Sequence, residues 1–184
     1  MTETVESDVW PVKSFLGSGN YVNIFNDSVL NVPENLTVSM WVKPKWDETE
    51  TFLNVVDLPP LFRFWHRGDS WGNKVHFLSG IEEPNAPGDS WWGSYGGVVT
   101  TTQINEDRWY NLVGVLRDND LIFYVDGIKN RELLGVLDNY TKRHTTTYNL
   151  TIGRGSFLFD ELRVYNRDLL PNEILDLYNL ENTN

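Results

Sequence analysis

The sequence contains no cysteine, so neither a disulfide nor a thiolate metal site can form. No apolar run approaches the roughly 18 residues that a membrane-spanning helix needs, and membrane insertion is not expected. Basic residues are few, because 15 Lys and Arg stand against 26 Asp and Glu, giving a formal net charge of −11. Such a chain repels phosphates and anionic lipid surfaces, which argues against nucleic acid as a partner. The acidic surface is compatible with cations, with neutral sugars, or simply with solubility.

The amino terminus also lacks a hydrophobic segment. Residues 1–8 are acidic and do not resemble a signal peptide. The chain is therefore expected either to be part of a longer protein or to reach its place of work without secretion. Its 184 residues are most simply one domain, 1–184, large enough to bury a substantial core.

Aromatic residues are abundant, with eight Trp, eight Tyr and nine Phe. Such a content suits both a β-sheet core and a surface that stacks on sugar rings. Alternation of apolar and polar residues is clearest at 36–44, where Val38, Met40 and Val42 share one face. Asp126-Gly127 favours a tight hairpin, and residues 169–178 show helical spacing after Pro171. The pattern predicts an all-β antiparallel sandwich of about twelve short strands with one C-terminal helix.

One long segment breaks the alternation. From 79 to 97 the sequence is rich in Gly, Pro, Asn and Ser around Trp91, Trp92 and Tyr95. A loop of this length in a compact domain is usually functional or poorly ordered. Its tryptophans argue against simple disorder.

Six stretches occur in an order that carries a family resemblance. They are residues 19–24, 36–44, 108–113, 122–127, 150–153 and 159–167, the last followed by Glu173-Ile174 and Leu177-Tyr178. Together they resemble the laminin-G-like jelly-roll modules of the concanavalin A-like lectin/glucanase superfamily. The resemblance covers a core of about 15–179, leaving 1–14 as an N-terminal extension or edge strand. It implies a jelly roll with one convex and one concave sheet.

The resemblance also implies a structural calcium ion. Calcium prefers six to eight oxygen ligands, several of them backbone carbonyls. Asp160 stands where the family places an acidic ligand, and the turn containing Gly17 and Asn20 stands where the carbonyls would be. Many relatives carry aspartate at the position of Asn20, so one negative charge is missing here. In the alternative, backbone amides or Arg163 hold Asp160.

Carbohydrate binding is assigned to aromatic side chains outside the expected framework. The apolar face of a sugar ring complements the face of an aromatic ring. Trp41 and Trp109 are expected to be framework residues. The predicted carbohydrate-binding residues are Trp65, Trp71, Trp91, Trp92 and Tyr95. In the alternative, the long segment folds back as a lid over the concave face.

Catalytic patterns are missing from the sequence. Retaining glycosidases hold two carboxyl groups about 5–5.5 Å apart, and no Glu-x-Asp-x-x-Glu pattern occurs here. Glu82 and Glu83 are neighbours, which a strand would point to opposite faces. The three histidines lack zinc-binding spacing, and no serine nucleophile elbow is present. The chain is therefore predicted not to be an enzyme.

These observations favour a non-catalytic carbohydrate-binding or adhesion module that recognises glycans or a glycosylated surface, with calcium as a structural cofactor. The rival hypothesis is a structural surface-decoration or fibre protein of a virion, with other virion or cell-surface proteins as partners. A glycoside hydrolase or lyase ranks behind both. Either leading hypothesis places the chain outside the cell or on a virion surface.

Overall fold

The computed structural model describes residues 21–25, 31, 34–45, 52–68, 72–82, 95–138, 141–142, 146–154 and 156–181. Within these residues the chain forms twelve β-strands and one α-helix, as the sequence predicted. They are β1 (Val22–Ile24), β2 (Leu36–Pro44), β3 (Phe52–Leu58), β4 (Phe62–Arg67), β5 (Lys74–Glu82), β6 (Tyr95–Val99), β7 (Tyr110–Arg117), β8 (Asp120–Val125), β9 (Ile128–Leu133), β10 (Thr141–Lys142), β11 (Leu150–Arg154), β12 (Phe157–Tyr165) and α1 (Pro171–Glu181).

The strands form two sheets. The 7-stranded sheet has the order β1-β11-β3-β4-β5-β10, with β6 also paired to β5, and the 5-stranded sheet has the order β12-β2-β7-β8-β9. Every pairing among the described strands is antiparallel. The predicted antiparallel sandwich is confirmed.

The segment predicted to be irregular includes the end of one strand and the start of another. The prediction of a loop from 79 to 97 was wrong at both ends, because β5 continues to Glu82 and β6 begins at Tyr95. Gly80 pairs with Tyr95 and Ser79 pairs with Gly96. Backbone pairing maintains these strands where the side-chain alternation is lost.

Aromatic side chains from both sheets fill the core. Phe64 lies with its ring centroid 5.4 Å from that of Phe77 and 5.5 Å from that of Phe123. All three side chains are fully buried. Burying one such side chain contributes about 1.5–3 kcal/mol, so this cluster is a major stabilising element. Gly114 permits the close packing, because a Cβ at this position would lie 2.4 Å from the Phe77 ring.

Helix α1 begins with a stabilised first turn. Pro171 occupies the first helical position, where its fixed backbone angle is favourable. The Glu173 carboxylate accepts the backbone N–H of Leu170 at 2.7 Å and two guanidinium hydrogen bonds from Arg167 at 2.7 and 2.8 Å. The Arg167 bonds, followed by the Leu170 amide, lower the pKa of Glu173 to about 2. These contacts fix the helix start against the end of β12.

The helix covers the outer face of the five-stranded sheet. Ile174 is fully buried and belongs to a cluster with Val113, Val115, Ile122, Tyr124 and Leu169. At the other end of α1, Tyr178 stacks on Trp41 at 5.6 Å between centroids, and Glu181 accepts a hydrogen bond from Trp41 Nε1 at 2.5 Å. Trp41 is only 9% exposed, in the framework position expected for it.

No helix among the described residues is long and apolar enough to cross a membrane. Because α1 is the only helix in this part of the chain and packs on the five-stranded sheet, no described helix covers the outer face of the seven-stranded sheet.

Candidate functional site

The outer face of the seven-stranded sheet is defined by alternation along β4. Phe62 and Phe64 are fully buried in the core, so Arg63, Trp65 and Arg67 belong to the opposite face. Directly opposite these three on β5 lie Leu78, His76 and Lys74. The outer face therefore combines an aromatic ring with several cationic and polar side chains.

Trp65 forms the centre of a small cluster, here called the Trp65 patch and consisting of Trp65, Arg67, Lys74 and His76. The rings of Trp65 and His76 lie 5.3 Å apart at an interplanar angle of 51°. The Arg67 guanidinium carbon lies 6.0 Å from the Trp65 ring centroid, at the outer limit for a cation–π contact. All four residues are half-buried. The indole is thus held in place by its neighbours while part of the patch remains accessible.

A buried ion pair borders the patch on the same face. Arg63 donates from Nε to Asp57 Oδ1 at 3.0 Å and from Nη2 to Asp57 Oδ2 at 2.9 Å. Asn54 Nδ2 adds a third hydrogen bond to Asp57 Oδ2 at 3.2 Å. The two charged side chains are 9% and 10% exposed. Bidentate geometry of this kind fixes both side chains, so the surface that they form beside Trp65 is rigid.

His76 is held in its neutral form. Burial, followed in order of importance by the charges of Arg67, Arg131 and Lys74, lowers the pKa of His76 from its ordinary value of 6.5 to about 4. At neutral pH the imidazole can therefore both donate and accept a hydrogen bond. A neutral imidazole beside an indole suits recognition of hydroxyl groups.

The shifted pKa of His76 predicts a pH dependence of stability. Because the folded chain holds this pKa below the ordinary value of 6.5, the unfolded chain binds a proton between pH 6.5 and 4 that the folded chain does not. The contribution of neutral His76 to the free energy of unfolding is fully present above pH 6.5 and is lost as the pH falls towards 4. Between pH 7 and 4.5, the free energy of unfolding measured with urea is expected to decline less steeply with falling pH for His76→Phe than for the wild type. Equal slopes would contradict the assignment.

The predicted carbohydrate-binding residues fall at two ends of β5. Trp65 lies on the outer face, and the connection containing Trp71 joins β4 to β5 at this same end. The segment containing Trp91 and Trp92 leaves β5 after Glu82, about 20 Å along the strand from His76 at about 3.3 Å per residue. Trp71, Trp91, Trp92 and the Tyr95 side chain lie outside the described part of the structure. Their role in binding stays a prediction.

Asp160, the predicted acidic calcium ligand, lies on β12 opposite Trp41. Its Oδ1 accepts the backbone N–H of Glu161 at 2.9 Å, next to a bulge at which Glu161 has a φ of 50°. Arg163 pairs instead with Glu161 at 2.7 Å and with Glu181. Gly17 and Asn20 lie outside the described residues, and within those residues no group of three ligating side chains could hold a metal. The calcium site stays a prediction.

Sequence reasoning missed most of the patch. Arg63, Trp65 and Arg67 alternate with core residues along β4, and this period-two pattern could have grouped them. His76 and Lys74 lie beside these residues because β4 pairs with β5, and the register of that pairing cannot be read from the sequence. Asp57, a carboxylate beside the patch on the same face, is bound by Arg63 through two hydrogen bonds.

Comparison with known proteins agrees with this architecture. A family model of laminin-G type, described as “Concanavalin A-like lectin/glucanases superfamily”, matches residues 16–175. The chain belongs to this superfamily. Comparison with curated protein sequences gives no match.

Several solved structures share the fold. This concanavalin A-like chain superimposes on the binding domain of Paraclostridial Mosquitocidal Protein 1 with a TM-score of 0.70 and 12% identity, covering 90% of this chain and 42% of that one. The botulinum neurotoxin serotype D ligand binding domain in complex with N-acetylneuraminic acid superimposes with a TM-score of 0.68 and 11% identity, covering 91% of this chain and 42% of that one. Domain 4 of a GH43 extracellular arabinanase from Geobacillus stearothermophilus, in complex with arabinotriose, superimposes with a TM-score of 0.58 and 20% identity. This match covers 81% of this chain and 68% of that one. The chain thus spans about two fifths of the toxin binding domains, and at these identities the likeness shows the fold.

Proposed function

We propose that this chain is a non-catalytic carbohydrate-binding module that holds glycans on the outer face of the seven-stranded sheet. The observation that carries the proposal is the Trp65 patch on a sheet face that no described helix covers. The glycan or glycoprotein surface to which it binds is part of the proposal, as is a location outside the cell or on a virion.

The arrangement of groups suits a sugar ring. An indole offers an apolar face that matches the C–H face of a pyranose, and bordering polar groups can bind its hydroxyls. Trp65 supplies the indole, His76 a neutral hydrogen-bonding ring, and the Arg63–Asp57 pair a fixed polar border. Two of the fold neighbours are described in complex with a sugar, N-acetylneuraminic acid or arabinotriose, which supports carbohydrate as the ligand class.

A binding role rather than a catalytic one is supported by the state of the acidic groups. Glycoside hydrolysis needs two carboxyl groups facing one sugar bond. On the outer face, Asp57 is engaged by Arg63 and Asn54, which supports a structural role for this carboxylate. We therefore propose that bound glycan is released unchanged.

The Trp65→Ala variant tests the proposal. Loss of the stacking surface is expected to weaken glycan binding about 30-fold, or about 2 kcal/mol, as for a central aromatic anchor. Titration against a panel of oligosaccharides, followed by calorimetry or affinity electrophoresis, measures the change. Trp41→Phe, on the opposite sheet, is the matched control and should bind normally. If no panel member binds the wild type, or if Trp65→Ala binds like the wild type, the proposal fails. Trp91→Ala and Trp92→Ala in the same assay test the 83–94 segment.

We also propose a structural calcium ion bound through Asp160. The carboxylate is half-buried and uses Oδ1 for the Glu161 amide, which leaves Oδ2 as the ligand that it would offer. An ion specific to the folded state must raise stability, by about 2.7 kcal/mol at 100 times its dissociation constant. The melting temperature is expected to rise with calcium, to fall with chelator, and to be insensitive to both in Asp160→Asn. A wild-type melting temperature that is the same with calcium and with chelator would exclude the ion.

A further inference from the structure

Three cations act on His76 of the Trp65 patch, two from within the patch and one from outside it, in a chain whose formal net charge is −11. Arg67 and Lys74 lie opposite each other at the end of β4 and β5. Arg131 comes from β9, the edge strand of the other sheet. The charges of all three reach His76, where they oppose its protonation.

The position of Arg131 follows from contacts that join the two sheets. Its neighbour Asn130 accepts the backbone N–H of Thr101 at 2.7 Å and donates to Thr102 Oγ1 at 2.8 Å. Thr101 follows β6 by two residues, and Val99 of β6 pairs directly with His76. The two hydrogen bonds therefore anchor the Arg131 region of β9 beside the strand that borders the patch.

Two of the three cations have no carboxylate partner within the described ranges. Most basic side chains in this part of the chain do form ion pairs with Asp or Glu, among them Lys45, Arg63, Arg108, Arg117, Lys129, Arg163 and Arg167. Lys74 and Arg131 take part in none of the ion pairs among the described residues. In a chain with an excess of carboxylates, two cations outside the ion pairs of the described residues are available for an anion from outside.

The chemistry of the cluster selects the type of anion. Guanidinium groups bind carboxylate and sulfate oxygens through paired, charge-assisted hydrogen bonds, and lysine adds a point charge. The strongly negative remainder of the protein repels polyanions in general, so only a ligand that also gains from the indole is held here. A sugar ring that stacks on Trp65 and carries an acidic group satisfies both conditions.

We propose that the glycan bound at the Trp65 patch is acidic, and that Arg67, Lys74 and Arg131 bind a carboxylate or sulfate group on the ring that stacks against Trp65. This inference rests on the proposed glycan-binding function and names the class of sugar. It distinguishes the module from one that recognises neutral sugars alone.

The test compares matched ligands and matched variants by calorimetric titration at low ionic strength. The probes are 3′-sialyllactose and trigalacturonate as carboxylates, a sulfated lactose, and unmodified lactose as the neutral partner; inorganic sulfate and polyglutamate are anions without a sugar. The key variant is Lys74→Gln with Arg131→Gln. Lys129→Gln is the control, because this exposed lysine lies on β9, as Arg131 does, and already pairs with Glu132 at 2.8 Å. Thermal melting of each variant confirms folding.

At least one acidic sugar is expected to bind more tightly than lactose. The double variant should weaken acidic-sugar binding by about tenfold, equivalent to about 1.4 kcal/mol, with Lys129→Gln close to the wild type. The carboxylate and sulfate arms show which group is preferred, and added salt should weaken binding because the charges are partly exposed. Equal binding of acidic and neutral sugars, with no effect of the double variant, would overturn this inference and leave the proposed function intact. Binding of sulfate or polyglutamate as tightly as of the acidic sugars would overturn it too. Absence of binding by every sugar would overturn both.

Discussion

Replacing Arg63 with methionine is expected to lower the free energy of unfolding by about 3–5 kcal/mol, because it leaves the Asp57 carboxylate buried without its counter-charge. Arg63 supplies two hydrogen bonds, at 3.0 and 2.9 Å, and among the described residues the 3.2 Å bond from Asn54 would remain. With 10% of the Asp57 side chain exposed, water cannot compensate for the loss. Urea denaturation at pH 7 measures the change through the transition midpoint.

A double-mutant cycle separates the interaction energy of the Arg63–Asp57 pair from the individual effects of the two substitutions. Adding Asp57→Leu to Arg63→Met removes the isolated charge and is expected to recover most of the stability, since a buried pair contributes little over an apolar pair of similar size. Arg117→Met is the control for a more exposed pair, with side chains 36% and 25% exposed at Arg117 and Glu132, and should cost at most about 1 kcal/mol. An Arg63→Met loss as small as that of Arg117→Met would show that the pair is not buried in solution.

The second large effect is expected for Gly114→Ala, which should destabilise the chain by about 1–3 kcal/mol through overpacking. Gly114 lies on β7 opposite Val38 and Phe123, and an added Cβ would lie 2.4–2.7 Å from three carbons of the Phe77 ring. Because Phe77 is fully buried in the facing sheet, its ring has little room to move away. Thermal and urea unfolding measure the loss.

Gly97→Ala provides a matched glycine control. Its added Cβ would meet Leu78 Cδ2, also at 2.4 Å, but this is the end of a half-buried and flexible side chain. The expected loss is therefore clearly smaller than for Gly114→Ala. Adding Phe77→Leu to Gly114→Ala should restore part of the stability by making space. Equal losses for the two glycine variants, or no recovery with Phe77→Leu, would contradict the close packing between the sheets.

Much of the fold could be predicted because local patterns and global architecture agree. In β2 the alternating residues Val38, Met40 and Val42 do face the core, as their spacing indicated. The same strand also shows where the sequence was misleading, since its polar-looking face with Thr37 and Ser39 is fully buried too. Helix α1, 130 or more residues later in the chain, covers that face, and the alternation within one strand carries no information about such a distant partner.

The candidate site was harder to predict for the same reason. Trp65 was recognised because an aromatic residue beside a turn is conspicuous. The charges around it were not, because Lys74 reaches the patch through strand register and Arg131 through contact between two sheets. For Asp160, the sequence left open a calcium ion, backbone amides or Arg163 as the partner, and its Oδ1 accepts the backbone N–H of Glu161.

The most direct measurement of the glycan site is a backbone NMR titration of the isotopically labelled chain with an oligosaccharide that binds it. The expected result is that amide signals of β4, β5 and β6 shift together and saturate, while signals of α1 and of its partners Val113 and Val115 stay in place, and that the oligosaccharide is recovered intact. Shifts confined to α1 and the outer face of the five-stranded sheet, or cleavage of the sugar during the titration, would contradict a non-catalytic site at the Trp65 patch.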